Sequence, residues 1–331
     1  MLSRRGFGVF GAVALSLLAP ATQAALRAAE MRREQRVLMG TRVSLLLPGS
    51  ASELADLAAP MAAAWAEMAR LEALLSRYRG DNPVAALAAQ AGRRPLVVPA
   101  ELRELLQQAK RVSERSGGAF DVTVGAYSDW RFDGAQSLPP AERLAVQRRA
   151  VDWRAIEIDG AQVLLNRPGM RLDLGGIAKL PILAAGMAVL QRAGVRHALI
   201  DGGGDIFAIG QNQGHAWQVG LRDPLQPQQL LGSVPLADGG WVVSSGDYER
   251  CFEQGGRRYH HILDPRSGWP SVGVHGVSLL GRDVAALNGL GTALMLRGPD
   301  PSLLPAGVEA LLVRADGRRW HAGGDAMVTL G

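Results

Sequence analysis

Four parts of the chain are rich in glycine, carboxylate and hydroxyl residues, the side chains that commonly surround phosphates and metal ions. They are residues 117–123 (GGAFDVT), 173–179 (DLGGIAK), 201–205 (DGGGD), and 245–248 (SGDY) together with 260–268 (HHILDPRSG). Each segment alone is typical of a turn, because glycine adopts positive φ and aspartate hydrogen-bonds its own backbone. Their combination in one chain points to a shared site.

In that order and spacing the segments resemble the ApbE family of FAD:protein FMN transferases. The likeness begins at residues 39–41 (MGT), ends at 292–294 (TAL), and also includes 76–78 (SRY), 217–224 (WQVGLRDP) and 245–250 (SGDYER). The resemblance implies an α+β fold: one ApbE-like (T-fold-like) domain of mixed antiparallel sheets with flanking helices, over residues 30–331. It also implies an enzyme that moves FMN from FAD to a Ser or Thr hydroxyl of a target flavoprotein and releases AMP.

The pyrophosphate of FAD brings negative charge that backbone N–H groups, a lysine or a cation must offset. Gly175, Gly176 and Lys179, placed before a helix, supply everything except the cation. By the resemblance, Mg²⁺ would be bound by the carbonyl oxygen of Gly176 and by the side chains of Asn288 and Thr292. The i, i+4 spacing of the last two predicts that they share one helix face.

Three positions depart from the family pattern. The family usually has an aspartate where this chain has Asn288, and an amide oxygen binds Mg²⁺ without bringing charge. Lys179 is followed by Leu180 and Pro181, where family members commonly continue with glycine and tyrosine, and Asn82 replaces a usual serine. We therefore expect weaker metal binding and redistributed FAD contacts.

His261 is the predicted general base. It lies in a polar segment beside apolar residues, where a neutral imidazole could take a proton from the acceptor hydroxyl. The alternative is a histidine held in the core by a hydrogen bond. Its neighbour His260 is the weaker candidate, because the residue next to Ile262 resembles the family histidine.

The resemblance also predicts the residues that line the flavin and adenine pockets. An aromatic ring and a thioether suit the face of an isoalloxazine. Met39 and Ile262 could equally be core residues, and Tyr78 a packed surface tyrosine. Asp173 and Lys179 would flank the nucleotide. The remaining predicted contacts are Met39, Tyr78, Ala119, Phe120, Asp121 and Ile262.

Two other functions are compatible with the same residues. One is a degenerate family member that binds FAD without transferring it, which Asn288 favours. The other is a pyrophosphatase that splits FAD to FMN and AMP with water as the acceptor. The family resemblance implies that the targets of a transferase are flavoproteins of membrane electron-transport complexes, including the regulatory flavoprotein of nitrous oxide respiration.

The N-terminal 24 residues predict export. Arg4 and Arg5 precede an apolar stretch and small residues near Ala24, which is typical of a twin-arginine signal, with an ordinary secretory signal as the alternative. We expect a periplasmic protein without a membrane span. The formal net charge is only +5 and no basic, aromatic platform is present, so nucleic acid is not an expected partner.

Hydrophobic periodicity gives the elements that must position these residues. It predicts an opening strand at 36–48, helices at 52–77 (capped by Ser52), 99–116, 179–193 and 283–296, and an alternating segment at 163–173. Buried strands are expected at 197–200, 219–221, 241–243, 259–263, 274–280 and 308–313. Runs of strands with helices between them favour α+β over a doubly wound sheet.

Overall fold

The computed structural model describes residues 30–132 and 136–327. An eight-stranded sheet forms its centre, and every neighbouring pair of its strands is antiparallel. One three-stranded sheet and two two-stranded sheets accompany it. The predicted α+β class with antiparallel sheets and flanking helices is confirmed. The predicted export signal lies outside the described residues.

The strands and helices have the following bounds. The strands are β1 Glu30–Leu38, β2 Thr41–Gly49, β3 Leu96–Val97, β4 Ile156–Asp159, β5 Gln162–Leu165, β6 Ala198–Asp201, β7 Ile206–Ile209, β8 Trp217–Arg222, β9 Leu230–Leu236, β10 Gly239–Gly246, β11 Cys251–Gln254, β12 Arg257–His260, β13 Val274–Gly281, β14 Glu309–Arg314 and β15 Arg319–Ala322. The helices are α1 Ala51–Asp56, α2 Ala58–Leu75, α3 Pro83–Ala89, α4 Ala100–Arg115, α5 Ala141–Gln147, α6 Gly175–Arg192, α7 Val284–Leu287 and α8 Leu290–Arg297. The strand order of the large sheet is β1-β2-β6-β7-β10-β13-β14-β15, and the smaller sheets pair β3-β5-β4, β8-β9 and β11-β12.

The segment predicted as one opening strand forms parts of two strands, β1 and β2. Met39 and Gly40 have φ values of 54° and 70°, and β1 turns back on β2 at this point. Two successive positive φ values are the geometry of a tight hairpin whose twist matches that of its strands. The prediction of a single strand is wrong, because alternation alone does not reveal a two-residue turn that contains a non-glycine residue.

Helix boundaries follow local capping. Ser50, and not the predicted Ser52, caps α1, and it forms a reciprocal pair of hydrogen bonds with Glu53. Helix α4 matches its prediction and ends before Gly117 and Gly118, both with positive φ. Helix α6 begins at Gly175, four residues before the predicted start, so two glycines with low helix propensity form its first turn.

The large sheet is buried on both faces. Successive side chains point to opposite faces, so Ile200 packs into the larger core cluster while Leu199 packs into a second one, under β8 and β9. Helices α2 and α6 cover the first face. At Gly186 the two helices approach closely, because a Cβ there would lie 2.7 Å from Cγ of Met68.

Candidate functional site

Asp173 lies two residues before α6 and contacts the first residue of that helix. Its Oδ1 accepts a hydrogen bond from the N–H of Gly175 at 2.9 Å, and its Oδ2 forms an ion pair with Arg77. Burial opposes ionisation of this carboxyl, but the Arg77 charge and the Gly175 N–H outweigh it and keep the pKa of Asp173 below its usual value. The carboxylate is therefore charged, and it fixes the orientation of the glycine turn.

The loop 117–123 is closed by Asp121. Its Oδ1 accepts from the N–H and the hydroxyl of Thr123, at 2.8 and 2.6 Å, and its Oδ2 accepts from the N–H of Trp153 at 3.0 Å. Burial raises the pKa of Asp121 despite these hydrogen bonds. Asp173 joins the same loop, because its N–H donates to the carbonyl of Val122 at 2.7 Å. Asp121 thus shapes the loop with both of its carboxylate oxygens.

Phe120 connects Gly176 to the segment that contains Asn288. A Cβ built on Gly176 would lie 3.0 Å from Oγ1 of Thr292 and 3.3 Å from the Phe120 ring. A Cβ on Gly289 would lie 3.5 Å from the same ring. The predicted metal ligands Gly176 and Thr292 are therefore neighbours in space, and Asn288 is one residue from the same contact.

Asn288 and Thr292 do not lie on one helix. Helix α7 ends at Leu287, Gly289 has a φ of +79°, and α8 begins at Leu290. The expectation of one helix from 283 to 296, with both ligands on one face, is wrong. A left-handed glycine interrupts the helix. The two side chains instead belong to a helix C-cap and to the first turn of the next helix.

Asn288 has an oxygen that no protein group satisfies. Its Nδ2 donates to Oε1 of Gln108 at 3.0 Å, whereas its Oδ1 is buried without a hydrogen-bond partner in the structure. A buried acceptor of this kind is costly unless a ligand or water binds it. An amide oxygen, a hydroxyl and a main-chain carbonyl are the hard oxygen ligands that Mg²⁺ prefers. The predicted metal ligands therefore fit the ion, although no group of three His, Cys, Asp or Glu residues suited to a metal occurs among the described residues.

Lys179 forms an ion pair with a neighbouring carboxylate. Its Nζ lies 2.8 Å from Oδ2 of Asp205, and Oδ1 of Asp205 accepts from the N–H of Ser244 at 3.0 Å. The carboxylate of Asp205 is almost completely buried. Asp205 therefore links α6, through Lys179, to Ser244 of strand β10.

The two adjacent histidines have different environments. The Nδ1 of His260 accepts from the N–H of Ile262 at 3.4 Å, and its Nε2 contacts the carbonyl oxygen of Ser271 at 2.9 Å, which requires the proton to be on Nε2. By contrast, Nδ1 of His261 is buried without a hydrogen-bond partner among residues 30–132 and 136–327. His260 is therefore the histidine held by core hydrogen bonds, whereas Nδ1 of His261 is not engaged in one.

The imidazole of His261 is neutral. Burial, the positive charge of Arg250 and the proximity of His260 lower the pKa of His261 to about 3, while Asp173 opposes the shift. The backbone N–H of His261 donates to the carbonyl of Arg250 at 3.2 Å. A neutral imidazole has a free lone pair, which is the form needed to accept a proton.

The residues predicted to line the flavin and adenine pockets differ in exposure. Tyr78 is 75% exposed, its hydroxyl accepts from Nη1 of Arg250 at 3.4 Å, and the Arg77 guanidinium lies 5.3 Å from its ring. Met39 lies in the β1–β2 turn, where its N–H donates to the carboxylate of Glu72. Three further predicted pocket residues are buried: Ala119, Phe120 and Ile262.

Three charged residues that organise the site had no predicted role. Arg77, Asp205 and Arg250 all occur inside segments that the sequence singles out, so their positions were visible but their partners were not. Glu72 is different, because it lies in the apolar helix α2 and no pattern marks it.

A cavity of about 350 Å³ is lined by Tyr259, Asp264, Trp269 and neighbouring residues, and none of the predicted site residues contributes to it. It is therefore not the predicted FAD site.

The fold and these contacts define a class: an α+β protein whose central site combines a glycine-rich helix start, a buried amide oxygen at Asn288 and a neutral histidine. A sequence model of the ApbE family matches residues 39–312. The chain belongs to the ApbE family.

Curated relatives and solved structures agree with this assignment. The chain is 37% identical over 271 residues to the FAD:protein FMN transferase of Treponema pallidum, which covers 75% of each chain. It is 36% identical over 240 residues to one from Klebsiella pneumoniae, covering 71% of this chain and 72% of that protein. The crystal structure of the ApbE protein of Thermotoga maritima superposes with a TM-score of 0.80 at 26% identity, over 88% of this chain and 97% of that one. The apo flavinyl transferase ApbE of Pseudomonas stutzeri gives 0.76 at 26% identity, over 93% and 98%.

Proposed function

We propose that this chain is an FAD:protein FMN transferase, which moves FMN from FAD to a Ser or Thr hydroxyl of a partner flavoprotein and releases AMP in a Mg²⁺-dependent reaction. Curated relatives that share more than a third of their aligned residues with it have this activity in their names. Within the site, the observation that supports the proposal best is the neutral imidazole of His261 with an unpartnered Nδ1.

His261 acts as the base in the proposed reaction. The acceptor hydroxyl gives its proton to the imidazole, its oxygen forms a bond to the phosphorus of the FMN unit, and the bond from that phosphorus to the AMP oxygen breaks. A pKa of about 3 makes the imidazole a weak base in the ligand-free protein. An anionic pyrophosphate beside it raises that pKa, because nearby negative charge favours the imidazolium form.

Mg²⁺ supplies positive charge that offsets the charge of the pyrophosphate. The Gly176 carbonyl, Asn288 Oδ1 and Thr292 Oγ1 would hold the ion. Asn288 adds no negative charge, so this site binds Mg²⁺ less tightly than one with a carboxylate in that place. Asp173, Lys179 and the Asp121 loop position the nucleotide around it.

Two other functions remain as outcomes of the test. The protein is incubated with FAD, Mg²⁺ and a candidate acceptor flavoprotein, and the acceptor is then examined for in-gel flavin fluorescence. Transfer gives a fluorescent acceptor band. A pyrophosphatase gives free FMN and AMP with a dark band, and a binder leaves FAD intact. Either of the last two results contradicts the proposal.

We also propose that the protein works in the periplasm on a flavoprotein of a membrane electron-transport complex. No helix within residues 30–132 and 136–327 is long and apolar enough to cross a bilayer. A reporter fused to residues 1–24 is expected to be exported, and replacement of Arg4 and Arg5 by lysine is expected to stop export. Normal export of the double-lysine fusion would show that the twin-arginine assignment is wrong.

A further inference from the structure

Arg250 lies between two residues of the proposed site. It follows β10 in the segment 245–250 and precedes β11. Its Nη1 donates to the hydroxyl of Tyr78 at 3.4 Å, and its main-chain carbonyl accepts the N–H of His261 at 3.2 Å. The guanidinium therefore reaches a predicted flavin contact, while the backbone of the same residue holds the proposed base.

Arg250 is a solvent-exposed positive group whose charged neighbours are paired with one another. The charge of Asp173 is paired with that of Arg77, and the charge of Lys179 is paired with that of Asp205. Arg250 is exposed, and none of the ion pairs found in the described part of the chain includes it. Its charge acts on both Asp173 and His261. The cluster thus has a surplus positive charge at Arg250, which is available to an anion.

We propose that Arg250 binds the phosphate group that is transferred and, through its carbonyl, positions His261. This inference rests on the proposed transferase function. As the acceptor oxygen bonds to phosphorus, its proton goes to His261 and the electron pair of the broken P–O bond leaves on AMP. Arg250 keeps its proton throughout and stabilises the negative charge on the remaining phosphate oxygens.

A guanidinium suits this role better than an ammonium. Its planar array of N–H donors can bind two phosphate oxygens at once, whereas lysine acts as a point charge. Replacing the side chain leaves the main-chain carbonyl in place, so the hydrogen bond to His261 can persist. Arg250→Gln therefore tests the charge and the donors of the side chain.

The first test measures FMN transfer by the full-length protein with FAD, Mg²⁺ and an acceptor flavoprotein. We expect Arg250→Gln to lower kcat by about 10²- to 10³-fold, the typical effect of removing one donor to transition-state charge, with a smaller change in KM for FAD. Arg250→Lys is expected to recover part of the rate. Arg79→Gln is the matched control, because Arg79 is exposed and paired with Asp81, and it should leave kcat unchanged.

The second test needs no substrate. The charged and titratable groups acting on His261 are Arg250, His260 and Asp173. Removing the Arg250 charge removes an interaction that disfavours the imidazolium, so the pKa of His261 should rise in Arg250→Gln and stay unchanged in Arg79→Gln. Imidazole NMR titration measures this pKa, with His261→Ala identifying the resonance.

The outcomes separate this inference from the proposed function. If the wild type transfers no FMN, the transferase proposal fails and the role of Arg250 fails with it. If the wild type transfers FMN and Arg250→Gln does so at the same kcat, only the role of Arg250 is overturned. An unchanged pKa of His261 in Arg250→Gln would overturn the placement of the guanidinium beside the base.

Discussion

Asp121, His261 and Asn288 all lie in segments that resemble the family. Their buried polar atoms differ in whether they form hydrogen bonds within the protein. In the loop, Asp121 satisfies three donors and has both oxygens engaged. His261 Nδ1 and Asn288 Oδ1 are buried without partners. Other buried atoms of the described residues also lack a partner, among them Trp153 Nε1 and Gln147 Oε1. An unpaired atom therefore points to a ligand only where the family resemblance also places one, as it does at His261 and Asn288. Motif membership alone does not separate residues that shape a loop from residues that meet a ligand.

The largest expected effect tests the unpaired histidine. His261→Ala should slow FMN transfer by about 10²- to 10⁴-fold, the usual contribution of a general base, while FAD binding and folding are retained. Transfer kinetics, FAD titration and circular dichroism measure the three properties. His261→Ala that transfers at the wild-type rate would exclude His261 as the base, and an unfolded variant would make it a core residue.

A substitution at Asp121, which accepts three hydrogen bonds in its loop, should lower the stability of the protein. Asp121→Ala leaves three donors without their acceptor, and we expect it to lower the free energy of unfolding by roughly 2–4 kcal/mol. Denaturant unfolding measures this loss. Asp81→Ala, at an exposed carboxylate, is the control and should change stability by less than about 0.5 kcal/mol. Equal stability of the two variants would show that the loop does not need the Asp121 carboxylate.

How far the sequence predicts the structure depends on the range of the interactions. Helix α4 was predicted nearly to the residue, because its apolar periodicity and its terminal glycines are local signals. The periodicity of residues 283–296 does not reveal the break between α7 and α8 at the left-handed Gly289. A Cβ at Gly289 would lie 3.1 Å from Val112 and 3.5 Å from Phe120, which are distant in sequence. Patterns cannot report such contacts.

The candidate site shows the same limit. His261 could be preferred over His260 by resemblance, but only the structure shows that His260 has partners for both nitrogens. Arg77 and Arg250 lie within motifs that assign them no role, because their role arises from the effect of both charges on Asp173, which is distant in sequence. The types of residue in a sequence indicate where a site lies. The role of each residue can be assigned only from its contacts in the structure.

A change at Asn288 tests the unpaired oxygen. Asn288→Asp adds a negative charge where Mg²⁺ is expected, so the Mg²⁺ concentration needed for half-maximal transfer should fall. The variant loses the hydrogen bond that Asn288 donates to Gln108, so a small loss of stability without metal is expected. Mg²⁺ titrations of activity and of FAD binding give the result.

Thr292→Ala is the companion variant. Losing a metal ligand should raise the Mg²⁺ requirement and weaken FAD binding as well as slow transfer, unlike His261→Ala. If Asn288→Asp leaves both FAD binding and the metal response unchanged, Asn288 is not a ligand.

Acid stability gives a further test of the buried histidine. The pKa of His261 is about 3 in the folded protein, well below the ordinary value of 6.5. Between those values the unfolded chain binds a proton that the folded chain does not, so stability falls as pH decreases through this window. His261→Gln should make the free energy of unfolding less dependent on pH between about 6.5 and 3. Denaturant unfolding at several pH values measures the slope, and an unchanged slope would show that His261 titrates normally.

The most direct test of the account is the stoichiometry of the reaction on an acceptor flavoprotein. FMN attached to the acceptor is measured by intact-protein mass spectrometry, and AMP is measured by chromatography of the same sample. We predict one AMP released for each FMN attached, with both products lost together in His261→Ala. AMP produced without FMN on the acceptor, or no AMP at all, would contradict the account.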